Sequence, residues 1–309
     1  MKHYDIIVIG GGGGTKLVSP PARAGLKVAV IEKEALGGTC LNRGCIPSKM
    51  LIHPADVAHE IDNAHLYNIT VKKPYKVNFS KLVNSVSTQV DGTSDRIGVA
   101  YKKNKNIDYY HGTATFISND VVDVNGKKLT ADKIIVAVGS RARVPDIEGL
   151  SSTPFMTSRE ALRQKKQPKK LIIIGGGYIG VELGHFYGGI GTKIEFVVRS
   201  GFVGKEDKDV RKEFTRVFSE RHKTHFNVTT RKVSYKNGMF TVTIENRDTG
   251  EKKRLRADAL LVAVGIVPNT NTLHLENTKI KTDKRGFVVT DKRLQTTVKN
   301  IYAIGDVIN

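Results

Sequence analysis

The sequence predicts an α/β fold of two doubly wound domains, the second inserted into the first, and two observations carry that prediction. The apolar run Ile6-Ile7-Val8-Ile9 leads into Gly10 to Gly14, and Leu171-Ile172-Ile173-Ile174 leads into Gly175, Gly177 and Gly180. Parallel strands buried on both faces read as unbroken apolar runs rather than alternating ones. Each run is followed by a helical stretch and a second strand, residues 27–32 and 193–198, so one βαβ unit occurs twice. A length of 309 residues suits about two domains.

In chain order, the first strand covers 4–9. The helix after it contains Pro20-Pro21 and must be short or kinked, because an interior proline costs ~3 kcal/mol. Two helical segments, divided at Pro54, are expected over 47–65. From Ser80 an amphipathic helix places Leu82, Val83, Val86 and Val90 on one face. Strands follow at 114–117, 121–124 and 134–138. Beyond the second βαβ unit come strands at 239–246 and 259–264, and residues 290–306 read as one more strand pair ending in a Gly305-Asp306 turn. The expected domains are 1–150, 151–271 and a return to the first domain over 272–309.

Composition narrows the function classes. Hydrophobic residues make up 39% and there are 30 glycines, too apolar for a disordered chain and well suited to tight turns. No apolar run reaches membrane-spanning length, and no signal segment precedes the first strand, so a cytoplasmic location is expected. The net charge is +20, but the lysine clusters are short and lack interleaved aromatic residues. Nucleic acid is therefore not an expected partner, and the charge instead favours anionic cofactors and substrates.

The glycine runs suit dinucleotides. Gly10, Gly12 and Gly14 open a helix after a strand, and Glu32 ends the next strand, where a carboxylate can hold a ribose diol. Thr15 stands where a third glycine normally allows close helix–strand packing. The second loop has Gly175, Gly177 and Gly180, but its second strand ends in Val198-Arg199 with no acid. Arg199, helped by Lys205, can receive a 2′-phosphate. The first site reads as FAD-type and the second as NADPH-type, with NADH the alternative.

Between them lie the only two cysteines, Cys40 and Cys45, in Gly37-Gly38-Thr39-Cys40-Leu41-Asn42-Arg43-Gly44-Cys45-Ile46-Pro47-Ser48-Lys49. In a cytoplasmic protein such a pair reads as redox-active rather than structural. Cys45 at a helix start, one turn before Lys49, has its thiolate favoured. The nine histidines include no convincing catalytic base, and no metal site is expected.

With these residues the chain resembles the pyridine nucleotide-disulfide oxidoreductases, the group of dihydrolipoyl dehydrogenase, glutathione reductase and mercuric reductase. The resemblance also runs through Ala137-Val138-Gly139-Ser140, Gly175 to Glu182, Ala263 to Asn269 and Ile301 to Asp306. It implies two Rossmann-like FAD/NAD(P)-binding domains. It also implies Cys45 as the thiol facing the flavin, Cys40 as the thiol exchanging with substrate, and a Lys49–Glu182 ion pair near the flavin. Tyr178 resembles the side chain that covers the flavin until nicotinamide arrives. Lys33, Gly38, Thr39, Gly112, Gly139, Gly265, Gly305 and Asp306 resemble further cofactor contacts. The implied activity is FAD-dependent transfer of hydride equivalents between NAD(P)H and the Cys40–Cys45 disulfide. The implied substrates are dihydrolipoamide, a low-molecular-weight disulfide or Hg(II). Family members form homodimers through a C-terminal domain that carries a His-Pro motif, and that domain is expected to be missing here. The rival reading is a truncated or degenerate nucleotide-binding protein without turnover, acting through its basic surface.

Overall fold

The computed structural model describes residues 1–72 and 74–309. Strand β1 (Lys2–Ile9) runs into the first glycine loop. A 3-10 turn (Gly13–Leu17) and the short helix α1 (Ser19–Arg23) follow, with Pro20 and Pro21 in the first turn of α1. Amide donors have no intrahelical partner there, so the prolines shorten the helix without the interior cost. Next come β2 (Val28–Glu32), α2 (Gly38–Arg43) and α3 (Cys45–Asn63).

Helix α3 corrects one expectation, because Pro54 lies inside it and does not divide it. Its buried face carries Leu51, Ala55 and Ala58, and a Cβ on Gly189 would stand 2.9 Å from the Ala55 Cβ. Packing this close outweighs the local penalty of one proline. Helix α4 (Phe79–Lys103) buries Val83, Val86 and Val90, with Leu82 half-buried.

Four strands follow: β3 (Ile107–His111), β4 (Ala114–Phe116), β5 (Val122–Val124) and β6 (Lys127–Val136). Then come β7 (Ser140–Ala142), α5 (Ser158–Ala161), β8 (Lys170–Ile174), α6 (Tyr178–Gly189) and β9 (Lys193–Val198). Helix α7 (Lys208–Arg221) precedes β10 (Lys223–Phe226), β11 (Val228–Lys236), β12 (Met239–Asn246) and β13 (Lys252–Ala257). The chain ends through β14 (Ala259–Val262), β15 (Ile266–Pro268) and β16 (Ile301–Ala303).

The expected strand pair over 290–306 reduces to β16 and a single bridge from Gln295 to Tyr302. Asp291 Oδ1 accepts the amides of Arg293 and Gln295, and Leu294 has φ +63°, so this stretch is spent on a turn.

The chain forms two compact units, one of Met1–Ile46, Thr88–Arg141 and Ile266–Asn309, the other of Pro47–Ser87 and Ala142–Gly265. The first holds a sheet ordered β3-β2-β1-β6-β5-β4, with β16 also on β6. β1, β2, β3 and β16 run parallel in it, and β4, β5 and the start of β6 form an antiparallel meander. Its core joins Ile7, Ile31, Phe116, Ile134 and Ile301. The second unit holds a parallel sheet ordered β10-β9-β8-β14 and an antiparallel sheet β11-β12-β13, with Ile172, Phe240, Val242 and Leu260 in its core. Residues 47–87 group with the second unit. Tyr75 Oη donates to the Ala58 carbonyl, and Phe79 packs 6.2 Å and 6.0 Å from the rings of Phe186 and Tyr187. The topology is the mixed α/β architecture that the repeated βαβ units predict. Among the described residues no helix is long and apolar enough to cross a membrane.

Candidate redox and nucleotide sites

The first glycine loop is built from close backbone approaches. Gly10 has φ +109°, and a Cβ there would stand 2.6 Å from the Ala137 carbonyl carbon. A Cβ on Gly14 would stand 2.6 Å from Val8 Cγ1. The side-chain-free approach to the strand expected at position 15 is therefore met by Gly14. Thr15 instead turns its hydroxyl inward, donating to the Gly12 carbonyl at 2.7 Å.

Glu32, at the end of β2, accepts the Gly11 amide on Oε2 at 2.7 Å and the Glu34 amide on Oε1 at 2.8 Å. Each oxygen keeps a second acceptor site. Glu32 and Lys33 line a cavity with Gly10, Gly112, Asn269 and Thr272. Gly112 donates its amide to the Glu32 carbonyl at 2.9 Å. Asn269 and Thr272 are cavity residues that the sequence alone does not single out, although Asn269 closes one of the family-like runs. Its amide nitrogen Nδ2 donates to the Val138 carbonyl at 3.0 Å. Ser140 Oγ donates to Asp306 Oδ2 at 3.2 Å, and Gly139 and Gly305 both have positive φ.

The cysteine turn lies against this loop. Gly37 donates its amide to the Gly11 carbonyl at 2.7 Å. Gly38 has φ +62°, and a Cβ there would overlap Gly12 Cα and stand 3.1 Å from Gly12 N. Thr39 and Cys40 are the second and third residues of α2. A Cβ on Gly44 would stand 2.9 Å from the Thr39 carbonyl, so the turn between the cysteines closes only with glycine.

Asn42, which sequence reasoning passed over, is buried, and its Nδ2 donates to the carbonyls of Ala35, Leu36 and Gly38 at 3.2, 3.0 and 3.0 Å. Ser94 Oγ also donates to Leu36, and Arg43 is ion-paired with Glu34. Both cysteines are exposed. A hydrogen bond to the Cys45 thiol, with burial, pushes the Cys40 thiol above its ordinary range, while the Lys16 ammonium draws it back.

In the second unit, Lys49 Nζ meets Glu182 Oε1 at 2.5 Å, joining α3 to α6. The second glycine loop repeats the first: Gly175 has φ +122°, with a would-be Cβ 2.7 Å from the Ala263 carbonyl carbon. A Cβ on Gly180 would meet the Gly175 carbonyl at 2.7 Å. Gly177 caps α6 with no side-chain hydrogen bond, which leaves the first amides of a twelve-residue helix open to an anion.

Tyr178 is the first residue of α6, and its hydroxyl donates to Glu206. Arg199 and Lys205 are exposed beyond β9, and among the described residues neither has an ion-pair partner. Gly265, with φ +116°, follows β14.

Residues 4–309 match the family described as pyridine nucleotide-disulphide oxidoreductase. The chain belongs to that family. Dihydrolipoyl dehydrogenase 1 of Arabidopsis thaliana mitochondria is 37% identical over 98% of this chain and 62% of its own length. The mercuric reductase of Staphylococcus aureus is 31% identical over 98% of this chain and 56% of its own length. Among solved structures, the HOCl-induced flavoprotein disulfide reductase RclA from Escherichia coli superposes with a TM-score of 0.86 at 32% identity, covering 98% of this chain and 66% of its own. The chain thus spans about three fifths of the length of these curated relatives.

Proposed function

We propose that this chain passes reducing equivalents from NADPH to the Cys40–Cys45 disulfide, with FAD as the carrier. One observation carries the reading: two thiols share a hydrogen bond on a turn whose Gly38 lies against Gly12 of a dinucleotide-type loop. Gly10, Gly12, Gly14 and Gly38 keep a strip of backbone free of side chains, and Glu32, Lys33 and Gly112 line the cavity beside it. These residues, with Thr39, Gly139, Gly305 and Asp306, would hold FAD, so the first unit serves the flavin. Bound FAD supplies a two-electron step between nicotinamide and disulfide.

In the second unit, Gly175, Gly177 and Gly180 leave the start of α6 open to a pyrophosphate, with Gly265 at the end of a neighbouring strand. Arg199 and Lys205 would take the 2′-phosphate, which favours NADPH over NADH. Lys49 and Glu182 present a paired ammonium and carboxylate whose balance sets the local field.

NADPH, a proton and the Cys40–Cys45 bridge give NADP⁺ and two thiols. The Cys40 thiolate then attacks a substrate disulfide and releases one thiol. Cys45 attacks the mixed bridge, restores Cys40–Cys45 and releases the second. The substrate class is a small disulfide or, following the names of its relatives, Hg(II), or dihydrolipoamide with the electrons running the opposite way.

The test is a purified sample with its flavin content measured, reduced anaerobically by NADPH and then titrated for thiols. Two thiols should appear per flavin. Cys45→Ser should abolish the gain while flavin stays bound. A colourless protein that binds duplex DNA with steep salt dependence would favour the basic-surface alternative instead.

A further inference from the structure

Strands β5 and β6 pair Val124 with Lys127, so their connection is the two-residue turn Asn125-Gly126. Both residues have a left-handed backbone, φ +54° and +78°, as a hairpin of this length requires. Gly126 donates its amide to Asp123 Oδ1 at 3.2 Å, which braces the turn from within. Glycine, aspartate or asparagine would each serve such a turn. What asparagine adds is a donor: Asn125 Nδ2 donates to the His111 carbonyl, at the end of β3, at 2.8 Å. That carbonyl belongs to the peptide group whose other end, the Gly112 amide, donates to the Glu32 carbonyl at 2.9 Å. One peptide plane is thus held at its N–H by β2 and at its C=O by the hairpin. Gly112 also leaves the space that the hairpin fills, since a Cβ there would stand 2.7 Å from both Nδ2 and Oδ1 of Asn125.

We infer that Asn125 is a positioning residue for the adenine half of FAD, acting through the 111–112 peptide that it pins. The inference rests on the reading of the first unit as the flavin site. Two features support it. Gly112, Thr113 and Ala114, which continue the chain from the pinned peptide, line the cavity together with Glu32 and Lys33. A wall made of backbone presents its N–H and C=O groups in a direction set by the peptide plane before it, so a base edge is read only where that plane is fixed. The second feature is exposure: the Asn125 side chain stands in solvent at a turn tip, where packing makes no demand for an amide. Its one printed bond goes to the peptide beside the cavity, and that bond is what another turn residue would lose.

The experiment uses the full chain, stripped of flavin and titrated by fluorescence with FAD and with the etheno derivative of FAD, whose adenine edge is blocked. Asn125→Gly keeps the turn and removes the donor. Asn125→Asp keeps the shape and sets a carboxylate against the His111 carbonyl. Wild type should prefer FAD to the etheno derivative. Either change should weaken FAD by about three- to tenfold, the range expected of one hydrogen bond, and leave the etheno derivative within about twofold. The preference for FAD then shrinks by the same factor. The control is Asn237→Asp on the matching turn of β11 and β12, where Lys236 pairs with Met239 and φ is +52° and +77°, and it should change neither affinity. Unchanged FAD affinity in both Asn125 variants overturns the positioning role alone. An equal loss for both flavins also overturns it, by making Asn125 a support of the fold rather than of the base wall, and so does a wild type without preference for FAD. A wild-type chain that binds neither flavin overturns the role and the flavin site together.

Discussion

Replacing Gly38 by alanine puts the contact between the cysteine turn and the first glycine loop under direct strain. The native backbone there has φ +62°, and an L-residue held in that region costs ~1–2 kcal/mol. The new methyl would also overlap Gly12 Cα and lie 3.1 Å from Gly12 N. Carbon atoms prefer separations of about 3.5–4.0 Å, so the two backbone segments must part by roughly 1 Å. Overpacking of this kind costs a further ~1–3 kcal/mol. The sum of ~2–5 kcal/mol corresponds to a fall in the melting temperature on the order of 5–15 °C. Gly13→Ala is the matched control, because a Cβ there meets nothing within 4 Å. Thermal unfolding by circular dichroism, with the flavin content of each preparation, reads both effects. Gly38→Ala should melt early and retain little flavin, and Gly13→Ala should behave as wild type. If Gly38→Ala melts within about 1 °C of wild type and keeps its flavin, the close approach is not the constraint described.

Three further outcomes are expected. Burial, with the neighbouring charges of His185 and Arg221, lowers the His222 pKa to about 4, so the unfolded chain binds the extra proton between pH 6.5 and 4. Stability is then fully present above pH 6.5 and falls by about 2 kcal/mol as pH drops to 4, after discounting for partial exposure. Urea unfolding of His222→Phe should lose this slope, and an unchanged slope would locate the acid sensitivity elsewhere. Glu195, 2% exposed, is paired with Lys170 at 2.5 Å and His225 at 2.7 Å. Burial pushes its carboxyl up, but the hydrogen bonds from His225 and Lys170 outweigh burial and leave it below the ordinary carboxylate range. Glu195→Ala leaves His225 and the partly exposed Lys170 without their carboxylate and should cost ~1–3 kcal/mol in chemical denaturation, and no measurable loss contradicts the network. Arg199→Ala should weaken NADPH binding about tenfold or more and spare NADH, as one charge-assisted phosphate contact predicts, and equal loss for both cofactors would remove it from the 2′-phosphate.

The parts of the fold visible in the sequence are those set by local pattern. The apolar runs of β1 and β8, their glycines and the cysteine run are contiguous, so their periodicity and spacing are plain. Features that depend on distant neighbours were not visible. Pro54 stays helical because of Gly189, more than a hundred residues away. Gly14 packs on β1 in place of residue 15 because the loop meets Val8 and Ala137 together. The membership of residues 47–87 in the second unit follows from Phe79 meeting Phe186 and Tyr187. Asn42 resembles any surface asparagine until three carbonyls converge on its amide. The Tyr178–Glu206 bond spans 28 residues.

That convergence on Asn42 bears on how cheaply the sulfur chemistry can cycle. The amide clamps carbonyls on both sides of Gly37, so the frame that carries Cys40 is rigid before any electron arrives. If Cys40 and Cys45 form the proposed bridge, making or breaking it leaves this side of the turn held by the same three hydrogen bonds.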